Sequence, residues 1–459
     1  MSDYFAFTDP AQLAADYPAG EAFLKRFTTI SADELRALQE ERFARVLALA
    51  WKTPFYRRLW GARGIEPGDI RGLADLPRLP TFDKSDIMES IAKKPPFGDF
   101  HAMDAYEPGQ RPPVVFHTTS GTTGRPQVLL FGPRGREAQN RILARTYLLQ
   151  GLTDDDVVHS VYGHGLINGG HYIRETFLHW TRAIFMSAGT GVETRSAAQV
   201  ELMRDFGATV IVGFGDYIRY LGDAAKNAGL DIKRDFRVRM ISGHLGSDRE
   251  AIAAAWGGVE TFDWYGVGDT GIIAGEGPDH DGLYVHEDAQ WVELTELDSD
   301  TPAAPGAPGN LVVTVLMKDD IYPMIRFNTH DVTRFLPGQS SLGLRLRRIS
   351  GFEGRSDNMV KLRGINIFPQ AVGAILAELP AYGGDYYCRV DREANGREGM
   401  TVVCETRDAS SAQATVYAEL LKRRIGIEVS VEFAAPGELK TVTGIDSRQK
   451  PLRLVDTRK

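Results

Sequence analysis

The residues best suited to do chemistry lie in His117-Thr-Thr-Ser-Gly-Thr-Thr-Gly-Arg-Pro-Gln127, between two short apolar, β-branched runs. Thr119, Ser120, Thr122 and Thr123 offer hydroxyls, while Gly121 and Gly124 remove the side chains that would keep an anion away from backbone N–H groups. The chemistry implied is a phosphate cradle. A flexible polar loop has the same composition, so the residues alone leave both readings open. An ordinary P-loop is excluded, because Gly124 is followed by Arg125-Pro126 rather than by lysine and a hydroxyl residue.

The stretch TSGTTGRP resembles the phosphate-binding signature of the adenylate-forming superfamily, which includes acyl- and aryl-CoA ligases, adenylation domains and luciferases. Further segments follow in the order the resemblance requires. Trp264 to Asp269, WYGVGD, resembles the aromatic-glycine motif, which implies that Tyr265 and Gly266 lie against adenine and that Asp269 holds Mg²⁺ on the nucleotide phosphates. Without the resemblance, Tyr265 is equally a core aromatic and Asp269 equally a helix N-cap. Gly268 departs from the usual hydroxyl residue of that motif. IRFNTHDVTRF resembles the segment whose aspartate binds the ribose hydroxyls, a role that falls to Asp331. GRSDNMVKLRGINIFP resembles the hinge region: Arg355 near ribose and phosphate, Asp357 as pivot, and Lys361, Arg363 and Gly364 on the loop facing CoA or another acceptor. The tail SRQKPLRLVDTRK resembles the segment whose lysine reaches the α-phosphate and the substrate carboxylate, which selects Lys450.

Other stretches resemble the phenylacetate-CoA ligase branch, among them YGHGLINGG at 162 to 170 and YPMIRFNTHDVTRF. In that branch the last loop position is often not lysine, in keeping with Gln127. Some members carry a cysteine-rich zinc site after the Tyr-Gly motif; here that segment has no cysteine, and no zinc is expected. Where a Gly-Glu-Pro stretch is usual, this chain reads SGHLGSD, with His244 and Leu245 in place of the acid and proline. Tyr162, His164, Ile167, Phe214, Tyr217 and His244 are candidates for an acyl pocket that seats an aromatic or cyclic acid. His164 and His244 read equally well as structural histidines.

Positioning these residues calls for a large α/β framework. Ser31 and Asp33 open a helical run with Leu35, Leu38, Val46, Leu49 and Ala50 at helical spacing, read as one amphipathic helix within 31 to 60. From Pro112 the pattern is strand, loop, strand, helix. AAQVELMRDF stops at Gly207, a left-handed C-cap, and TVIVGF follows as a strand; such alternation continues to 275 and predicts a partly parallel sheet with ligands at strand ends. DSDTPAAPGAPGN, 298 to 310, reads as a surface hairpin. The boundary falls near 351 to 358, which divides the chain into a large adenylation domain, 1–355, and a small mobile α+β domain, 356–459, with helices at 369–379 and 412–424.

The 459 residues suit two to four domains at ~150 residues each. With 43% hydrophobic and 25% charged residues, disordered, fibrous and membrane-spanning classes fit poorly, and the net charge of −8 disfavours a nucleic-acid surface. Cys388 and Cys404 read as buried small hydrophobes. Neither a leader, a spanning helix nor a lipid anchor is expected, which places the protein in the cytoplasm with no membrane partner. The expected activity joins a small-molecule carboxylic acid to ATP with Mg²⁺, giving an acyl-adenylate and pyrophosphate, and then transfers the acyl group to coenzyme A. Transfer to an amine or a carrier-protein thiol is the alternative acceptor chemistry, and a non-catalytic ligand-binding descendant is the alternative class. A homodimer is a family-level expectation.

Overall fold

The computed structural model describes residues 4–119, 127–246, 249–357, 359–362, 365–392, 398–445 and 451–458. They divide into two compact units, one of 1–187 with 262–351 and one of 188–261 with 352–459. The last segment thus begins at Phe352, close to the boundary read from sequence, and the unit it belongs to also takes in 188–261.

In the first unit the run read as one helix is two. Ser31 and Glu34 close a capping box on Ala32–Ala50, and the chain then turns before Pro54–Gly61. Pro54 cannot continue the first helix, whereas at the start of the second its missing N–H costs nothing, and the Thr53 hydroxyl caps Tyr56 N. The strands Val115–Thr118 and Val128–Phe131 pair antiparallel and lead into the helix Pro133–Leu149. That helix is buried on nearly all sides despite its charges. Arg136 reaches Asn168 Oδ1 at 2.6 Å, and Arg145 makes a bidentate pair with Asp288 at 2.8 Å on both oxygens. Geometry of this kind is what makes a buried charge tolerable.

The 298 to 310 segment is the expected hairpin connection: Gln290–Thr295 and Gly309–Val315 pair antiparallel, and Met324–Thr333 adds a third strand. A second antiparallel array runs through Glu260–Val267, Gly271–Glu276, Leu283–Val285 and Arg348–Ile349. Parallel pairing, Val157–Ser160 with Ile184–Ser187, completes the mixed α/β character.

His286 lies in this core, 2.9 Å from Thr146 Oγ1, with Nδ1 unpartnered. Burial, with the nearby Arg145 charge, lowers its pKa to about 3. Unfolding lets it take up a proton near pH 6.5, so its contribution is fully present above that pH and is lost as pH falls toward 3. Between pH 7 and pH 5 this group should cost about 2 kcal/mol of stability. Urea midpoints at the two pH values check it: His286→Gln should flatten the slope, and an unchanged slope would exclude His286 as the titrating group.

The second unit begins with the predicted alternation. Ser196–Asp205 ends ahead of Gly207, whose φ of 66° is the left-handed turn read from sequence, and Val210–Phe214 then pairs in parallel with Met240–His244. Residues 352–459 form a four-stranded sheet in the order Ser430–Ala434, Glu398–Thr406, Tyr382–Arg392, Leu454–Asp456. Ser411–Ile425 contributes Tyr417 and Leu421 to its core, where Cys388 and Cys404 are fully buried as free thiols. The helix read at 369–379 is a 3₁₀ turn, Pro369–Ala371, followed by Val372–Ala377. Within this unit Arg219 donates to the Gly384 carbonyl at 3.0 Å, and Arg453 lies 3.4 Å from Asp216.

Candidate active site

Antiparallel register brings Thr118 opposite Val128 and so closes the base of the candidate phosphate loop. Thr119 N donates to the Gln127 carbonyl at 3.0 Å, and Gln127 N donates to Thr119 Oγ1 at 3.3 Å. Ser120, Gly121, Thr122, Thr123 and Gly124 lie outside the described residues, as do Arg363, Gly364 and Lys450.

Asp269 sits in the turn between Glu260–Val267 and Gly271–Glu276, and since a strand follows, it is no helix N-cap. Close contacts surround both glycines ahead of it, from backbone at Gly266 and from a side chain at Gly268. A Cβ on Gly266 would meet the Gly271 carbonyl oxygen at 2.4 Å, and one on Gly268 would meet the Leu129 side chain at 2.9 Å. A side chain at 268 would thus have to displace the Leu129 methyl groups. Asp269 is 5% exposed, and its Oδ1 accepts from Gln127 Nε2 at 2.5 Å and from the Tyr322 hydroxyl at 3.0 Å. Lys318, also buried, donates to the Asp269 main-chain carbonyl and lies over the Tyr322 and Phe131 rings at 4.7 and 4.9 Å. Burial raises the Asp269 carboxyl above its ordinary range against the pull of Lys318, and it lowers Lys318 to about 8.

The donor set fits a hard divalent cation. Gln127 Oε1 is a buried oxygen without a hydrogen-bond partner beside the Asp269 carboxylate, and Mg²⁺ prefers such oxygens together with phosphate and water. Gln127, Lys318 and Tyr322 were not assigned from sequence, although Lys318 and Tyr322 immediately precede the ribose-motif segment.

The Tyr265 hydroxyl donates to Asp331 Oδ2 at 2.6 Å, so the two candidate nucleoside contacts meet. Asp331 lies in Met324–Thr333, where its N–H is held by Thr329 Oγ1 at 3.1 Å. The preceding His330 adopts a φ of 58° and contacts Asp83 Oδ2 through Nε2 at 2.8 Å. A positive φ at a non-glycine residue needs support, and Asn328 Oδ1 supplies it by accepting His330 N–H at 2.8 Å.

The six acyl-pocket candidates divide between the units. In the first, buried Tyr162 packs 6.4 Å from Trp264, His164 Nε2 lies 2.7 Å from Ser187 Oγ, and Ile167 bridges to Thr118 at the end of the strand entering the loop. Two further histidines extend this wall: His171 meets His164 edge-on at 5.4 Å and stacks on His117 at 4.8 Å. In the second, Phe214 and His244 are register partners with rings 5.2 Å apart, and Tyr217 shares a hydroxyl contact of 3.0 Å with Ser196.

Around the hinge, Arg355 makes a bidentate pair with Asp357 at 2.8 and 2.6 Å, which occupies the guanidinium otherwise assigned to ribose and phosphate. Lys361 belongs to Val360–Leu362, paired antiparallel with Ile365–Ile367. The chain on either side of Lys450 is anchored by one buried carboxylate. Asp385 accepts from the Thr443 hydroxyl through one oxygen and from Arg453 through the other, and Leu452 N donates to the Thr443 carbonyl at 2.9 Å.

Residues 364–458 match the AMP-binding enzyme C-terminal domain. The chain is 29% identical over 452 residues to the phenylacetate-coenzyme A ligase of Aromatoleum evansii, covering 93% of this chain and 96% of that one. It is also 29% identical over 444 residues to the phenylacetate-coenzyme A ligase of Escherichia coli (strain K12), with the same coverage. Among solved structures, 2-hydroxyisobutyryl-CoA ligase in its postadenylation state with R3-HIB-AMP superposes with a TM-score of 0.83 at 24% identity, over 100% of this chain and 95% of that one. The same ligase with 2-HIB-AMP and CoA in the thioesterification state gives a TM-score of 0.67 at 25% identity, with the same coverage.

Proposed function

We propose that this chain is an adenylate-forming enzyme that activates a carboxylic acid with ATP to an acyl-adenylate and then transfers the acyl group to coenzyme A, a reading supported by the match of residues 364–458 and by the 29% identity to phenylacetate-coenzyme A ligases. The observation that carries this reading is the meeting, within one unit, of a ribose-type pair, Tyr265 with Asp331, and a phosphate-type pair, Gln127 with Asp269. The acid is aromatic or cyclic in this reading, in keeping with the rings gathered around Tyr162 and His164 in the first unit.

In the first half-reaction a carboxylate oxygen attacks the α-phosphorus of ATP, and the bond to pyrophosphate breaks. Tyr265 and Asp331 hold the nucleoside, the loop from Thr119 to Gly124 orients the phosphates, and Lys450 stabilises the charge that builds on the α-phosphate. Mg²⁺, held by Asp269 beside the Gln127 amide oxygen, would neutralise phosphate charge. In the second half-reaction the thiolate of coenzyme A attacks the acyl carbon and AMP leaves. Residues 356–459 act as the small domain that turns about Asp357, withdrawing Lys450 and presenting Lys361, Arg363 and Gly364 to the acceptor. Catalysis rests on position and electrostatics, with no protein nucleophile. The reading places the enzyme in the cytoplasm, acting on small molecules. No helix among the described residues is long and apolar enough to cross a membrane.

Mass spectrometry of products from ATP, Mg²⁺ and a panel of aromatic and alicyclic acids, with and without CoA, tests this directly. Acyl-CoA with AMP is the expected result. Acyl-AMP that accumulates regardless of CoA would move the acceptor to an amine or a carrier-protein thiol.

A further inference from the structure

The loop from Thr119 to Gln127 ends at a neutral residue and has Arg125 as its one cationic side chain, which leaves room at the triphosphate for a cation from elsewhere in the chain. Of the two lysines near Asp269, Lys318 is buried and committed to the Asp269 carbonyl and two aromatic faces. The other is Lys84, the first residue of the helix Lys84–Lys93. It is exposed, its Nζ lies 3.5 Å from Thr119 Oγ1 at the start of the loop, and its charge is felt by the Asp269 carboxylate.

Lys84 is in an unfavourable place by local rules. A cation in the first turn opposes the helix dipole, and among the described residues no carboxylate pairs with it within ion-pair distance. Its neighbour Asp83 is turned to other work: it caps the helix through Ser85 N at 2.6 Å and contacts His330 Nε2 at 2.8 Å, next to Asp331. One helix start is thereby tied to the ribose strand by Asp83 and to the phosphate loop by Lys84. A local rule broken beside a candidate site, with only a 3.5 Å contact to a threonine hydroxyl and no ion pair to offset it, points to a charge awaiting a ligand.

We propose that Lys84 binds the β- and γ-phosphates of ATP and stabilises the departing pyrophosphate, supplying the charge that Gln127 does not. This rests on the ATP-dependent reading above. Exposure favours the terminal phosphates over the α-phosphate, because the α-phosphorus must be shielded from water if the acyl-adenylate is to survive, while pyrophosphate leaves toward solvent. Lys84 is thus a substrate-binding residue specific to the half of ATP that AMP lacks.

Calorimetric titration of the full chain with Mg²⁺ and either ATP or AMP tests it. Lys84→Gln should weaken ATP binding roughly 10- to 100-fold, as for loss of a charged hydrogen bond, and leave AMP affinity within about twofold. Lys84→Arg should restore most of the ATP affinity. Unchanged ATP binding in Lys84→Gln would overturn the proposal, and so would an equal loss for ATP and AMP, which would mean that Lys84 shapes the loop rather than contacting phosphate. If the unaltered protein bound neither nucleotide, the ATP-dependent function itself would fall, and Lys84 with it.

Discussion

Lys450→Ala should reduce acyl-adenylate formation by about 100- to 1,000-fold, the scale of removing one preorganised charge from a transition state. The same variant should convert supplied acyl-AMP and CoA to acyl-CoA at a rate within a few-fold of the unaltered enzyme. The asymmetry follows from when the charge is needed. Attack on the α-phosphorus builds negative charge that an ammonium can meet, whereas thiolate attack on the acyl carbon expels an AMP already bearing its phosphate charge. The anchoring of Thr443 and Arg453 by Asp385 makes a purely local effect the expected one, since the flanking chain keeps its hold when the lysine is shortened. Separate assays of the two half-reactions decide the matter, and equal losses in both would sink the two-conformation account.

Asp331→Ala should weaken both ATP and AMP binding by roughly 10- to 100-fold, with little dependence on the number of phosphates. A carboxylate that accepts two ribose hydroxyls makes charge-assisted hydrogen bonds, and the Tyr265 hydroxyl, 2.6 Å from Oδ2, fixes its orientation. Because Asp331 is buried, loss of fold must be separated from loss of contact. 2′-Deoxy-ATP does so: the unaltered protein should bind it more weakly than ATP, and the variant should not distinguish the two. A variant that still discriminates, or that binds ATP normally, would remove Asp331 from the ribose role. Together with Lys84→Gln, which should spare AMP, the two variants separate the nucleoside end of the site from the pyrophosphate end.

The candidate site is read from sequence in parts that are local. Gly207 announces a helix end by itself, whereas Thr119 to Gly124 suggest an anion cradle only through their resemblance to a known signature. Reading 31 to 60 as one helix failed because periodicity carries across Pro54 while backbone geometry does not. Glycine at 268 reads in sequence as a lost contact, whereas in the fold it faces the Leu129 side chain, which a Cβ would meet at 2.9 Å.

What the sequence by itself determined is the order of chemical parts: a hydroxyl- and glycine-rich loop, an aromatic-glycine turn ending in an acid, a strand bearing an aspartate, and a lysine near the C-terminus. These depend on residues within a few positions of one another, where steric and hydrogen-bonding rules act directly. Tertiary structure alone decided which charges are buried and which are free to meet a ligand. Gln127 reaches Asp269 across 142 positions, Tyr265 reaches Asp331 across 66, and Lys84 reaches Thr119 across 35. A lysine has the same letter whether it is locked beneath a carbonyl, as Lys318 is, or left exposed at a loop, as Lys84 is. The cost of burying a charge and the gain from pairing it arise only once the chain has brought distant segments together.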